Sequence, residues 1–319
     1  MLQELEGILD YSLQDNSLVR MNLVSEVMYH GKTYPLYSFV IGTEDVRAPT
    51  IALIGGVHGL ERIGSLVVIN YLKSIIHQLS WDIEFRARLN HFRIVAMPIV
   101  NPYGVENFRR SNGNGVDLMR NSPIDAIKDS AYKIYRGHNI SNRLPWFRGD
   151  PSNMEIESKA LVYLMEKELF PSKCALSIDF HSGFGVIDRL WYPYAKSKDA
   201  FPYINEAKNI SQLFDQTHPY HVYKLEPQSN AYTTNGDLWD YILERYTNQT
   251  NKVDGIFIPW TLEMGSWNWL RKNPIQIFNR QGVFNPMVKH RFDRTMRRHF
   301  MLIQFFSQLI MNRSAWDHS

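Results

Sequence analysis

The 319-residue sequence predicts an α/β fold, namely a single-domain three-layer α/β/α sandwich with a mixed, mostly parallel central sheet, over residues 1–319. Short apolar runs typical of buried strands alternate along the chain with segments of helical spacing, which favours a parallel sheet covered on both faces. No linker rich in proline, glycine or serine divides the chain. Polar residues follow the apolar runs, and in such sheets the active site lies at the carboxyl ends of the strands.

The first element in order is the apolar run 50–57, which is a buried-strand candidate. Apolar residues then recur at helical spacing over 63–79. A second strand candidate, 91–100, ends at Asn101-Pro102, where proline and the residue before it stop regular pairing.

The second half of the chain continues the alternation. A helix is predicted over 154–169, because Pro171 lies just beyond its last apolar turn. Strand candidates follow at 176–180 and 255–263. The segment 300–311 is predicted to be a terminal helix docked on the body of the protein.

Composition and charge exclude several classes of protein. Apolar residues make up 44% and charged residues 21% of the chain, which is ordinary for a globular protein and excludes a disordered or coiled-coil chain. The net charge of +3 is too small to indicate a nucleic-acid partner or an anionic membrane. The local run of basic residues at 289–298 is predicted to be the solvated face of a helix.

The cellular compartment is predicted from segments that the chain lacks. No stretch reaches the roughly 18 apolar residues that span a bilayer, so no membrane association is expected. The acidic N-terminal residues predict no signal peptide. The single cysteine, Cys174, excludes disulfides within the chain and a cysteine-based zinc site. We therefore expect a cytoplasmic protein, whereas the oligomeric state stays open.

The sharpest local motif is a histidine and a glutamate, three residues apart, after the first strand candidate. On a turn or a first helical turn, His58 and Glu61 can face the same point. Alone, the pair also fits a loop histidine beside an N-terminal helix glutamate. His181, at the end of another apolar run, would supply a third ligand. Two histidines and one carboxylate leave one position open for water, as in catalytic zinc sites.

Hydrolysis also needs a general base and a group that stabilises negative charge. Glu263 ends an apolar strand, where burial would raise the pKa of its carboxyl group, although an exposed residue at a strand end is the alternative. The polar, glycine-rich segment 101–121 carries three arginines directly after a predicted strand. A guanidinium suits either an oxyanion or a substrate carboxylate.

Together these residues resemble the zinc carboxypeptidases, the carboxypeptidase A-like metallopeptidases of peptidase family M14. The resemblance covers roughly residues 35–270. The pattern follows the order of the family, with His58-x-x-Glu61, Asn101-Pro102-x-Gly104, Arg110, Val116-Asp117-x-x-Arg120-Asn121, His181, Tyr232 and Glu263.

The resemblance implies one zinc ion held by His58, Glu61 and His181. It implies that Glu263 is the general base that activates the zinc-bound water. It also implies that an arginine stabilises the oxyanion, and Arg110 is the residue that matches.

Three further roles are implied by the resemblance. Arg120 would hold the terminal carboxylate of the substrate, and Asp117 would hydrogen-bond a zinc-bound histidine and fix its tautomer. Tyr232 would be the mobile tyrosine that closes on the substrate, with an ordinary loop tyrosine as the alternative. For Arg110, the adjacent Arg109 is the alternative assignment.

One residue departs from the family pattern. Met119 stands where the family usually has an asparagine, and methionine cannot donate a hydrogen bond to a carboxylate. We expect a zinc-dependent hydrolase that cleaves a peptide or amide bond near a free carboxylate by promoted-water attack. Its substrate would be a peptide or an acyl-amino acid. The alternatives are an N-acyl-amino-acid deacylase, similar to aspartoacylase and succinylglutamate desuccinylase, and a non-catalytic zinc-binding protein on the same fold. Another divalent ion could also replace zinc.

Overall fold

The computed structural model describes residues 5, 18–127, 134–150, 152–249 and 254–318. Its centre is an eight-stranded sheet with the strand order β1-β2-β4-β3-β5-β8-β6-β7. The strands are β1 Val19–Tyr29, β2 Lys32–Gly42, β3 Thr50–Gly55, β4 Arg93–Met97, β5 Cys174–Ser182, β6 Asp188–Tyr192, β7 Tyr223–Pro227 and β8 Ile256–Met264.

Both parallel and antiparallel pairs occur in this sheet. The four central strands, β4, β3, β5 and β8, are parallel to one another, as are β6 and β7. The pairs β1-β2, β2-β4 and β6-β8 are antiparallel. The predicted mixed, mostly parallel sheet is therefore confirmed.

Helices cover the sheet. They are α1 Arg62–Gln78, α2 Ile83–Arg88, α3 Pro102–Asn107, α4 Ile156–Glu168, α5 Ile204–Thr217, α6 Leu238–Thr247, α7 Trp267–Lys272 and α8 Lys289–Met311. Helices α1 and α8 pack together against β3 and β5, whereas α4 and α6 contact each other and pack on β1 and β8. All nine residues of β5 and all nine of β8 are buried. Because successive side chains of a strand point to opposite faces, both faces of the sheet must be covered.

The predicted strands and helices all form, and their ends shift by a few residues except that the terminal helix, predicted over 300–311, begins well before residue 300. The sequence did not predict the hairpin of β1 and β2 or the short strands β6 and β7 at the other edge. The terminal helix begins at Lys289 and therefore includes the basic run. Among the residues that the structure describes, every helix is too short or too polar to span a bilayer.

Two glycines hold the loop after β3 close to its neighbours. A Cβ atom on Gly59 would lie 2.0 Å from the carbonyl carbon of Gly104, and one on Gly64 would lie 2.0 Å from the backbone oxygen of Phe180. Neither position has room for a side chain. The loop that carries His58 and the first turn of α1 are thus packed directly against the backbone of β5 and α3.

Candidate metal centre and active site

The predicted metal ligands and the predicted base meet at the carboxyl ends of three parallel strands. His58 and Glu61 lie in the turn between β3 and α1. His181 lies near the end of β5, and its Cα is directly paired with that of Glu263 on β8. The parallel register of the central strands therefore brings residues that are 205 positions apart in the sequence to one edge of the sheet.

The side chains of the three candidate ligands converge on one point. Glu61 Oε1 lies 2.9 Å from His58 Nδ1, and Glu61 Oε2 lies 3.0 Å from His181 Nδ1. The two Nδ1 atoms are 3.2 Å apart. All three residues are buried, and their candidate ligand atoms lie within 4.8 Å of one another. This is a set of donors that suits zinc.

The other ring nitrogen of each histidine contacts a buried carboxylate. His58 Nε2 lies 2.9 Å from Asp117 Oδ1, and His181 Nε2 lies 2.8 Å from Asp179 Oδ2. A carboxylate that accepts the Nε2 proton leaves the Nδ1 lone pair free to face a metal ion. These contacts fit the tautomers that a metal centre requires, and the residues fit a zinc ion.

The sequence did not predict a role for Asp179. This residue lies two positions before His181 on β5, so both side chains point to the same face of the sheet. That spacing is the signal that could have identified it. Asp179 Oδ2 also accepts a hydrogen bond from Trp239 Nε1 at 2.8 Å, which ties the strand to α6.

Charges in the site shift the pKa values of the ligands. Burial alone would raise the pKa of Glu61, but His58 and His181 lower it well below its usual range. Burial would lower the pKa of His181, yet Asp179 and Glu61 raise it well above its usual range. Without a metal ion, the centre therefore favours a cation at the position that the ligands surround.

Glu263 is buried at the end of β8, so the predicted alternative of an exposed strand end does not hold. Burial and the nearby Glu61 carboxylate raise the pKa of Glu263 to about 8, and His181 and Arg110 partly oppose this shift. A carboxyl group with such a pKa can exchange a proton near neutral pH.

The two adjacent arginines in the loop after α3 differ in position. Arg110 Nε donates to Asp117 Oδ2 at 2.9 Å, and Arg110 Nη1 donates to Glu61 Oε1 at 3.0 Å. Arg109 is exposed to solvent. Arg110 therefore lies beside the metal ligands, whereas Arg109 does not.

Arg120 and Tyr232 lie near each other and near Glu263 and Arg110. Arg120 is buried, and its Nε makes no hydrogen bond within the described part of the chain. Burial raises the pKa of Tyr232, while the charge of Arg120 opposes that shift and the charge of Glu263 adds to it. The Tyr232 ring packs against Phe184 and Trp191 at centroid distances of 5.7 and 5.9 Å.

Met119 lies in the short 3-10 turn Leu118–Arg120, and its side chain is buried in the hydrophobic core. Asp117 accepts a hydrogen bond from the Met119 backbone N–H at 3.2 Å, and this contact caps the turn. The residue thus supports the turn that carries Arg120 but offers no side-chain donor to a substrate.

The protein has a layered α/β sheet that carries two histidines, a carboxylate and a buried glutamate at its carboxyl edge, and this arrangement fits the class of zinc metallopeptidases. The family model for zinc carboxypeptidase, peptidase family M14, matches residues 23–278, and the chain belongs to this family. Zinc is the metal of this family, and His58, Glu61 and His181 are the residues of this chain that fit it.

Curated relatives are distant and longer than the matched region. Human carboxypeptidase D is 24% identical over 288 residues, which cover 84% of this chain and 18% of that protein. Metallocarboxypeptidase A of Trichophyton rubrum is 27% identical over 236 residues, which cover 68% of this chain and 53% of that protein. The chain thus spans about a fifth to a half of the length of these relatives.

Solved structures show the same fold. Bovine thrombin-activatable fibrinolysis inhibitor, in complex with tick carboxypeptidase inhibitor, superimposes with a TM-score of 0.69 at 16% identity, over 98% of this chain and 96% of that one. Carboxypeptidase A from Helicoverpa armigera gives a TM-score of 0.61 at 17% identity, over 88% of this chain and 73% of that one. These similarities support the fold.

Proposed function

We propose that the protein hydrolyses a peptide or amide bond next to a free carboxylate by promoted-water attack. The observation that carries this proposal is the convergence of the His58, Glu61 and His181 group with buried Glu263 at one edge of the sheet. When bound, zinc supplies a water of lowered pKa and polarises the scissile carbonyl.

The proposed roles of the protein side chains follow from their positions. Glu263 takes a proton from the attacking water and then delivers it to the departing amine. A divalent cation at the three ligands would lower the pKa of Glu263 from about 8 toward neutrality, so that the carboxylate form is available. Arg110, held by Asp117 and Glu61, is placed to stabilise the developing oxyanion.

Arg120 and Tyr232 are the proposed substrate-binding groups. The Arg120 Nε that lacks a partner among the described residues can donate to the free carboxylate of the substrate. Tyr232 borders the same space and excludes water from it when the substrate is bound. Binding at these two residues would place the bond next to the carboxylate beside Glu263.

The decisive experiment separates zinc binding from turnover. We expect Glu263→Gln to retain about one zinc per chain while kcat falls by about 10²–10⁴-fold, because the amide cannot accept the proton. His181→Ala should lose the metal by elemental analysis. Retained turnover in Glu263→Gln would remove Glu263 from the role of base. Unchanged zinc content in His181→Ala would refute the ligand set.

The second candidate function is that of an N-acyl-amino-acid deacylase, and buried Met119 is the observation that favours it. Both substrates release an amino acid that bears the free carboxylate, and an N-acyl amino acid differs by its smaller acyl group. The missing amide donor at position 119 is a departure from the family pattern of carboxylate recognition, so the substrate can also depart from a peptide. Parallel assays with blocked dipeptides and with N-acetyl amino acids distinguish the two. Faster hydrolysis of the dipeptides supports the first candidate, and faster hydrolysis of the N-acetyl amino acids supports the second.

A further inference from the structure

A second concave site lies behind the turn that follows Glu263. A cavity of about 230 Å³ opens between α7 and the first half of α8, and Gly265 forms part of its wall. Four permanently charged cations line it, namely Lys272, Arg291, Arg294 and Arg298. The sequence predicts that the basic run 289–298, which lies on α8, forms a solvated helix face. This holds for Arg294, but Arg291 and Arg298 are only partly exposed.

One carboxylate lines the cavity, and both of its oxygens are already engaged. Asp188 Oδ1 accepts a hydrogen bond from the backbone N–H of Gly265 at 2.9 Å. Asp188 Oδ2 accepts one from Arg298 Nη1 at 2.6 Å. Asp188 therefore neutralises Arg298 and fixes the turn after Glu263, and within the described residues it makes no ion pair with the other cations of the cavity.

The remaining cations have unused donors. Arg291 uses one Nη1 hydrogen bond, to the backbone oxygen of Trp269 at 2.9 Å. Arg294 and Lys272 are exposed at the rim, and neither makes a hydrogen bond or ion pair within the residues that the structure describes. Like charges around one concavity repel each other, and a concave wall focuses their potential. A multiply charged anion in the centre removes that repulsion.

We propose that this cavity binds a multiply charged oxyanion, a phosphate or polycarboxylate group. Guanidinium forks match the oxygen geometry of both groups, and charge-assisted hydrogen bonds are the strongest that the cavity can offer. The carboxylate that lines the cavity, Asp188, offsets only one of the four cationic charges through its ion pair with Arg298. The site is separate from the proposed substrate-binding residues Arg120 and Tyr232, so this inference does not depend on the proposed function.

The test is binding of inorganic phosphate and of succinate to the zinc-loaded protein. Calorimetric titrations are made at constant ionic strength, with chloride as the balancing anion. We expect saturable binding that weakens about tenfold or more in Arg294→Ala and in Lys272→Ala, because each loses a charge-assisted hydrogen bond. Arg297→Ala is the matched control. This substitution removes the same charge from α8, but Arg297 is exposed and does not line the cavity.

Each outcome decides the matter. Preferential binding of phosphate would identify a phosphate group as the ligand, and preferential binding of succinate a polycarboxylate. The proposal is overturned if neither anion binds saturably, if Arg294→Ala and Lys272→Ala bind as tightly as the parent, or if Arg297→Ala loses as much affinity as they do. The last result would mean that the net charge of α8, rather than the cavity, attracts anions.

Discussion

Replacing Asp179 by asparagine should weaken zinc binding, although no candidate metal ligand is removed. Asp179 Oδ2 accepts hydrogen bonds from His181 Nε2 and Trp239 Nε1, each at 2.8 Å. An asparagine oxygen at the same place can accept both bonds, so the geometry is kept and the negative charge is lost. That charge makes the His181 ring a stronger donor to a metal ion.

The size of the effect follows from the contact. Removing the carboxylate partner of a metal-bound histidine typically weakens metal binding by about 10–100-fold, or about 1.4–2.7 kcal/mol. Because Asp179 is fully buried and its bond to His181 is short, solvent will not replace the missing charge. We therefore expect Asp179→Asn to raise the Kd for zinc by at least tenfold.

The assay is a competition titration of zinc between the protein and a fluorescent chelator. Asp240→Asn is the matched control, because it removes an equally buried carboxylate that accepts hydrogen bonds from the backbone N–H groups of Ala195 and Lys196. An unchanged Kd in Asp179→Asn would refute the reasoning. An equal rise in Asp240→Asn would show that the effect arises from general destabilisation instead.

Two further predictions concern stability. Burial lowers the pKa of His299 from 6.5 to about 4. Below about pH 6.5 this residue is therefore protonated in the unfolded chain but stays neutral in the folded chain, so the unfolding free energy falls as the pH drops. When the pH falls from about 7 to about 4.5, the unfolding free energy of the metal-free parent should decrease by about 2 kcal/mol more than that of His299→Gln, as measured by urea titration. Equal decreases in the two proteins would contradict this prediction. Gly64→Ala should lower the unfolding free energy by about 1–3 kcal/mol, because its Cβ would lie 2.0 Å from Phe180 O. A rise in the melting temperature would show instead that helix propensity dominates.

The central sheet and the metal ligands could be predicted because one physical signal marks both. Parallel strands buried on both faces appear as continuous apolar runs, and the first polar residue after each run lies at the same edge. His181 and Glu263 follow this rule. The hairpin of β1 and β2 lacks the signal, because only part of each strand is buried.

Other parts of the site depend on contacts between distant segments. Asp179 lies inside an apolar run, and although its spacing from His181 is local, its contact with Trp239 joins segments that are distant in the sequence. Tyr232 is positioned by aromatic neighbours from other parts of the chain, and no local periodicity places it. The cation-lined cavity likewise requires α7 to lie against α8. Contacts of this kind join segments that are distant in the sequence, so local sequence patterns do not predict them.

The buried carboxylates around the metal ligands have a consequence for proton exchange. Four carboxylates, those of Glu61, Asp117, Asp179 and Glu263, are buried here, whereas two guanidiniums, those of Arg110 and Arg120, oppose them. A divalent cation cancels the excess of two negative charges, and when it leaves, protons must take its place. In the metal-free state the neighbouring carboxylates raise the pKa of His181, and burial raises the pKa of Glu263 to about 8, so these two groups would hold protons there. We therefore expect zinc uptake near neutral pH to release protons and its apparent affinity to rise with pH.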